Sequence, residues 1–157
     1  MLFRSTKPAP RSGASAVVLG AELYIFGGDV DSFLADDLYS LNLDTLGWAR
    51  LPITGLKPQA RQGHTATAGP DGAMWLFGGS SSGGYLSDLW VYHPKARRWE
   101  QPHTNGMPPS PRKGHVAALV GSKLFFWGGC GATCSDTRVH VSAAGGLTQD
   151  TPFDPVV

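Results

Sequence analysis

The apolar residues of this chain fall in short runs separated by polar and glycine-rich stretches, with no long stripe at helical spacing. Leu23-Tyr24-Ile25-Phe26, Met74-Trp75-Leu76-Phe77 and Leu124-Phe125-Phe126-Trp127 each end on a glycine pair, at Gly27-Gly28, Gly78-Gly79 and Gly128-Gly129. A half-exposed strand alternates polar and apolar positions. These runs are apolar at successive positions, which predicts strands covered on both faces. Each run follows a stretch of small residues: Ala14 to Val18, Thr65 to Ala68, and Val116 to Ala118. The links between stretch and run are tight turns carrying glycine, such as Gly20-Ala21-Glu22 and Pro70-Asp71-Gly72. In the second period the pattern predicts strand A over His64 to Ala68, B over Ala73 to Phe77, C over Leu89 to His93 and D over Arg98 to Gln101. Each period is therefore a four-stranded antiparallel meander, and the fold class is all-β.

Further landmarks keep this register. Arg11, Arg61 and Arg112 each open a segment R-x-G-[A/H]; Leu38-Tyr39 answers to Leu89-Trp90, and Trp48 to Trp99, 51 residues on. A period near 50 with a glycine doublet and one tryptophan per unit resembles the kelch repeat, whose blades build β-propellers. The resemblance covers Arg11 to about Val141. It implies a non-catalytic protein-interaction module, a scaffold or adaptor that binds partners through the loops of one rim. The units read as an N-terminal segment 1–10, repeats at 11–60 and 61–111, a partial repeat at 112–142 and an unmatched tail at 143–157. The pattern departs from the family where Ala14 replaces the motif histidine, where Asp136-Thr137-Arg138 stands for Asp88-Leu89-Trp90, and where no tryptophan occurs near position 150. Propellers close with about four to eight blades, so about three blades make an incomplete ring. Each open blade face spans about 19 by 17 Å, on the order of 300 Å². The expectation is a fragment of a larger propeller, or else copies that associate to cover those faces.

The repeat also sorts structural from functional residues. Small residues on strand A suit the innermost position, where blades converge. Trp48 and Trp99, on the outermost strand, suit the widening gap between blades, where burying an indole yields a gross gain of about 4 to 6 kcal/mol. The glycine doublets precede no helix and no lysine motif, which argues against a phosphate loop. Arg11, Arg61 and Arg112 recur with Asp37, Asp88 and Asp136 and are expected to pair with them or to bond rim carbonyls. His64 and His115 follow their arginines at one offset. A feature present in every unit reads as structural, since one active site does not need three copies.

Loop length singles out one rim. The A–B and C–D turns are short, whereas the B–C loops (29–36, 80–87, 130–135) and the D–A loops (52–60, 102–111) are long, and recognition concentrates on such loops. The partner-binding candidates are Asp29, Asp31, Ser32, Phe33, Leu34, Ser81, Ser82, Tyr85, His103, Asn105 and Met107. Leu34, Tyr85 and Leu86 are equally compatible with folding back against strand C. Pro58, Pro108, Pro109 and Pro111 stiffen the D–A loops. Asp29, Asp31, Asp36 and Asp37 form an acidic loop whose spacing fits no EF-hand, and no metal site is expected.

Composition narrows the classes. A net charge of +1 and a charged fraction of 16% create no field to gather phosphates or anionic lipid, so neither nucleic acid nor membrane is an expected partner. No stretch has the length of a signal peptide's apolar region or of a membrane span, and a cytoplasmic setting is the expectation. Cys130 and Cys134 are the only cysteines; a local disulfide and an incidental thiol pair are both open, and two sulfurs alone do not complete a zinc site. The alternative to an interaction module is a kelch-like enzyme of the metal-dependent oxidase or specifier type. The tyrosines lie mostly inside strands and no loop gathers Glu, Asp and His, so no catalytic residue and no cofactor is assigned.

Overall fold

The computed structural model describes residues 7–104, 108–121, 123–132, 139–142 and 146–149. Among the described residues the strands are β1 (Ser15–Leu19), β2 (Glu22–Phe26), β3 (Asp29–Val30), β4 (Phe33–Leu34), β5 (Leu38–Asn42), β6 (Trp48–Leu51), β7 (Thr65–Ala68), β8 (Met74–Phe77), β9 (Ser80–Ser81), β10 (Gly84–Tyr85), β11 (Leu89–His93), β12 (Arg98–Glu100), β13 (Val116–Val120), β14 (Lys123–Trp127), β15 (Val139–Ser142) and β16 (Gly146–Gln149). Among the described residues there is no helix, and none therefore long and apolar enough to cross a membrane.

Three four-stranded antiparallel sheets follow one another, ordered β1-β2-β5-β6, β7-β8-β11-β12 and β13-β14-β15-β16. Each is a meander, and β1 lies beside β7 as β7 lies beside β13, so the small-residue strands converge on the inside of the stack. Within the B–C loops two short hairpins, β3-β4 and β9-β10, stand apart from the blades. The third blade reaches further than its sequence motif: β16 pairs antiparallel with β15 inside the stretch that reads as an unmatched tail. A ladder needs backbone groups and no particular side chain, so the strand persists where the tryptophan signature does not.

The core lies between sheets. Tyr24, Phe26 and Leu38 of the first blade meet Met74, Leu76, Trp90, Tyr92 and Trp99 of the second in one buried cluster. Phe77 and Leu89 of the second meet Leu124 and Phe126 of the third in another. The middle blade thus buries both flanks, which is why β8 is apolar at every position. Trp99 is 4% exposed and packs its ring 5.1 Å from Phe26 across the junction. Trp48 occupies the equivalent place in the first blade but is only half-buried, because the tryptophan of each blade packs on the blade before it. Among the described residues the inter-blade role expected of both tryptophans is therefore filled by Trp99 alone. On the third blade Val116 is 64% exposed, Val120 62%, Phe125 41% and Trp127 46%.

Candidate functional site

The long-loop rim is built on a clamp repeated in each blade. Arg11 Nη1 donates to Asp37 Oδ1 at 2.7 Å and to the Gly27 carbonyl at 2.9 Å. Arg61 is fully buried and donates through both terminal nitrogens to the two Asp88 oxygens, each at 2.7 Å, and to the Gly78 carbonyl at 3.0 Å. Arg112 donates to the Gly128 carbonyl at 2.8 Å; Asp136 lies outside the described residues. Burial would raise the Asp88 carboxyl, but the Arg61 bonds outweigh it and hold the group below the usual carboxylate range. Arg11 and Arg61 tie the start of strand A to the end of strand B and the start of strand C, and so fix where the B–C loop leaves and returns; Arg112 ties the start of its strand A to the end of strand B.

The glycine doublet passes this order to the next blade. Gly28 N donates to the Arg61 carbonyl at 2.8 Å, and Gly79 N to the Arg112 carbonyl at 2.8 Å. Gly27 has φ +66, and a Cβ there would lie 2.7 Å from the Arg61 oxygen and 3.0 Å from His64 Cε1. Gly78 repeats the arrangement against the Arg112 oxygen and His115 Cε1. The first glycine of these doublets faces the following blade, whereas a Cβ on the second would meet the start of its own blade, Ser12 and Ala14 at Gly28 and Gln62 and His64 at Gly79.

The two motif histidines fill the wedge above it. His64 stands edge-on to Phe26 at 5.7 Å, and His115 to Phe77 at 5.4 Å. His115 Nε2 and Thr65 Oγ1 share a hydrogen bond of 2.9 Å. At the equivalent junction Ser15 Oγ is buried without a partner and does not reach His64. Burial, followed by the charge of Arg61, pushes the His64 imidazole down to about 3; burial and Arg112 push His115 down to about 4. Both rings are neutral in the folded protein, whereas in the unfolded chain they take up protons below about pH 6.5. The unfolded state then binds more protons, and stability is lost as pH falls from about 6.5 toward 4. Urea denaturation should therefore show a loss on the order of 3 kcal/mol between pH 7.5 and pH 5. The His115→Gln variant should have a shallower slope, and a flat profile would contradict the assignment.

On this base the loops carry the candidate contact residues. Asp29 pairs with Ser12, Ser80 with Gln62 and Cys130 with Lys113 as isolated antiparallel bridges, pinning each B–C loop to the start of its own blade. In the first loop Asp31 and Ser32 take positive φ values of 50° and 71° and turn β3 into β4, with Ser32 N donating to Asp29 Oδ1 at 2.8 Å. This turn lifts Phe33 off the rim, where it is 78% exposed, while Leu34 is half-buried behind it. In the second loop Ser81 is half-buried, Ser82 is exposed, and Tyr85 is 39% exposed with Lys113 Nζ 5.9 Å from its ring centroid. His103 is exposed on the next D–A loop; Asn105 and Met107 lie outside the described residues.

The D–A loops are held down as well as stiffened. Pro58 and Pro109 are fully buried, and Lys57 Nζ meets Asp36 Oδ2 at 2.6 Å. A hollow of about 480 Å³ opens beside Phe33, lined by Arg11, Val30, Leu34, Tyr39 and Arg50. Three of the four acidic residues of the first loop are engaged: Asp37 with Arg11, Asp36 with Lys57, and Asp29 with the turn. Among the described residues no three His, Cys, Asp or Glu side chains gather where they could hold an ion. Cys130 is in a disulfide, and Cys134 lies outside the described residues. The two hairpins and the buried prolines are features that the sequence pattern did not bring out.

Sequence comparison extends this reading. A family model of the KLHDC2/KLHL20/DRC7 kelch-repeats domain matches residues 1–143. Similar proteins include acyl-CoA-binding domain-containing protein 4 of Arabidopsis thaliana, 35% identical over 123 residues, covering 78% of this chain and 18% of that protein. Rab9 effector protein with kelch motifs of Bos taurus is 39% identical over 110 residues, covering 68% of this chain and 30% of that protein. Kelch domain-containing protein 1 of Mus musculus is 39% identical over 129 residues, covering 78% and 30%. The chain thus spans less than a third of the length of these relatives.

Proposed function

Since the chain belongs to the kelch-repeat family, we propose that it is a protein-interaction module that binds a protein or peptide through the B–C and D–A loops of one rim. The observation that carries this reading is Phe33, an aromatic ring 78% exposed at the tip of a hairpin whose base is fixed by a backbone bridge and by the Arg11–Asp37 clamp. An exposed aromatic on a rigid support loses little conformational freedom on binding, and it follows directly on the polar turn residues Asp31 and Ser32. Relatives named as a Rab9 effector and a Rho GTPase-activating protein are consistent with a module of this kind. The proposal assigns no catalytic group.

Affinity capture with the purified chain tests it. Phe33→Asp should reduce retention of bound proteins at least about tenfold, the effect of losing one interface anchor. Lys95→Glu, on the opposite rim, should leave retention unchanged. If Phe33→Asp has no effect while Lys95→Glu abolishes capture, the binding face has been assigned to the wrong rim.

A further inference from the structure

The short-turn rim carries a hollow that neither the repeat motif nor the partner-binding loops use. It measures about 560 Å³ and lies in the fork between the first two blades, bounded by Leu19 and Gly20, by the A–B turn from Ala68 to Ala73, and by His93 to Lys95. That volume falls in the range of small-molecule sites. Its walls are apolar and fixed: Leu19 packs on the buried cluster of the first junction, Ala73 is 2% exposed, and Pro94 adds a third apolar side. Gly69 N donates to the Ala73 carbonyl at 2.8 Å and Arg97 N to the Pro94 carbonyl at 3.3 Å, closing the two turns beside the opening.

The charges around it are unevenly matched. Asp71 Oδ1 accepts from Ala73 N at 3.2 Å and from Trp75 Nε1 at 3.4 Å, which turns this carboxylate toward the side of the blade that faces the third. Glu22 accepts from Asn42 Nδ2 at 2.9 Å, and Glu100 lies 2.9 Å from Arg98 and 3.1 Å from His93. Lys95 and Arg97 are exposed on the C–D turn, and among the described residues neither has an ion-pair partner. Burial raises the Tyr24 and Tyr92 hydroxyls and the Arg97 charge opposes the rise in both, which places that guanidinium near the same junction.

We propose that this hollow binds a small organic carboxylate with an aliphatic body, the chain lying against Leu19, Ala73 and Pro94 and the carboxylate meeting Lys95. An unmatched cation at the lip of an apolar cleft favours an anion whose body is apolar. The turns around the hollow are too short to hold an extended segment of a partner protein, which favours a small molecule. The site lies on the rim opposite Phe33, so it stands or falls separately from the partner-binding reading.

Backbone amide chemical shifts of the full chain, followed during titration with octanoate and with octanamide as its uncharged counterpart, test the proposal. Octanoate should saturate with a Kd of about 1 mM or below and move the amides between 69 and 73 and between 93 and 97, whereas octanamide should bind at least about fivefold more weakly. Lys95→Met keeps the length of the side chain and removes its charge, and should bring octanoate down to the level of octanamide. Ala68→Leu should fill the hollow and weaken both ligands about tenfold. No saturation by about 10 mM octanoate, equal affinity for the two ligands, undiminished octanoate binding by Lys95→Met, or shifts confined to the long-loop rim would each overturn the proposal. Lys95 is an exposed turn residue, so its variant decides the matter if Ala68→Leu fails to fold.

Discussion

Replacing Arg61 with alanine should lower the unfolding free energy by about 3 to 5 kcal/mol, a large share of the roughly 5 to 15 kcal/mol that holds an ordinary domain together. Arg61 is the largest fully buried side chain among the described residues. Its removal takes both donors from Asp88, which is then left with the Trp90 Nε1 bond of 2.7 Å, and strips the Gly78 and Gln59 carbonyls of a partner. The cost comes from the carboxylate and carbonyls left unsatisfied more than from the attraction itself. Arg61→Lys keeps the charge but has no planar fork to span both Asp88 oxygens, and it should recover less than half of the loss. Arg98 offers a control. Its bond to Glu100 is 2.9 Å, but the two side chains are 58% and 39% exposed, so Arg98→Ala should cost less than about 1 kcal/mol. Urea midpoints at constant slope would separate these cases, and a loss below about 1 kcal/mol for Arg61→Ala would show that the clamp does not hold the rim.

Trp99→Ala should be as severe, at about 3 to 5 kcal/mol, because the indole fills the first junction between Phe26 and Tyr92, each 5.1 Å away. Trp99→Phe should cost less, since the buried Nε1 makes no hydrogen bond that the smaller ring would forfeit. Trp48→Ala should cost only about 1 to 2 kcal/mol in dilute solution, although both tryptophans hold the same place in the repeat. The difference measures the neighbour: Trp99 has a blade to pack on, and among the described residues no blade precedes that of Trp48.

Repetition is what made most of the architecture readable. The doublets, Arg11 with Asp37 and Arg61 with Asp88 stand out because each recurs at one spacing, and each proves to be a contact made once per blade. Features that depend on a neighbour did not stand out. Nothing about Trp48 itself distinguishes it from Trp99, and nothing about Pro58 or Pro109 reveals that these loop prolines are fully buried. The hairpin β3-β4 was also hidden, since its strands are two residues long and its left-handed turn uses Asp31 and Ser32 where a glycine would have advertised it. At the candidate binding rim the loops were identifiable from their length. The prominence of Phe33 over Leu34 was not, because it follows from that turn.

The central claim is that each blade is stabilised by the flank of the next, leaving one set of loops free for recognition. A double-mutant cycle between Phe26 and Trp99, which belong to different blades and touch only if the blades stack, tests this most directly. The two alanine variants should be coupled by about 1 kcal/mol or more. Losses that add to within about 0.3 kcal/mol would contradict it.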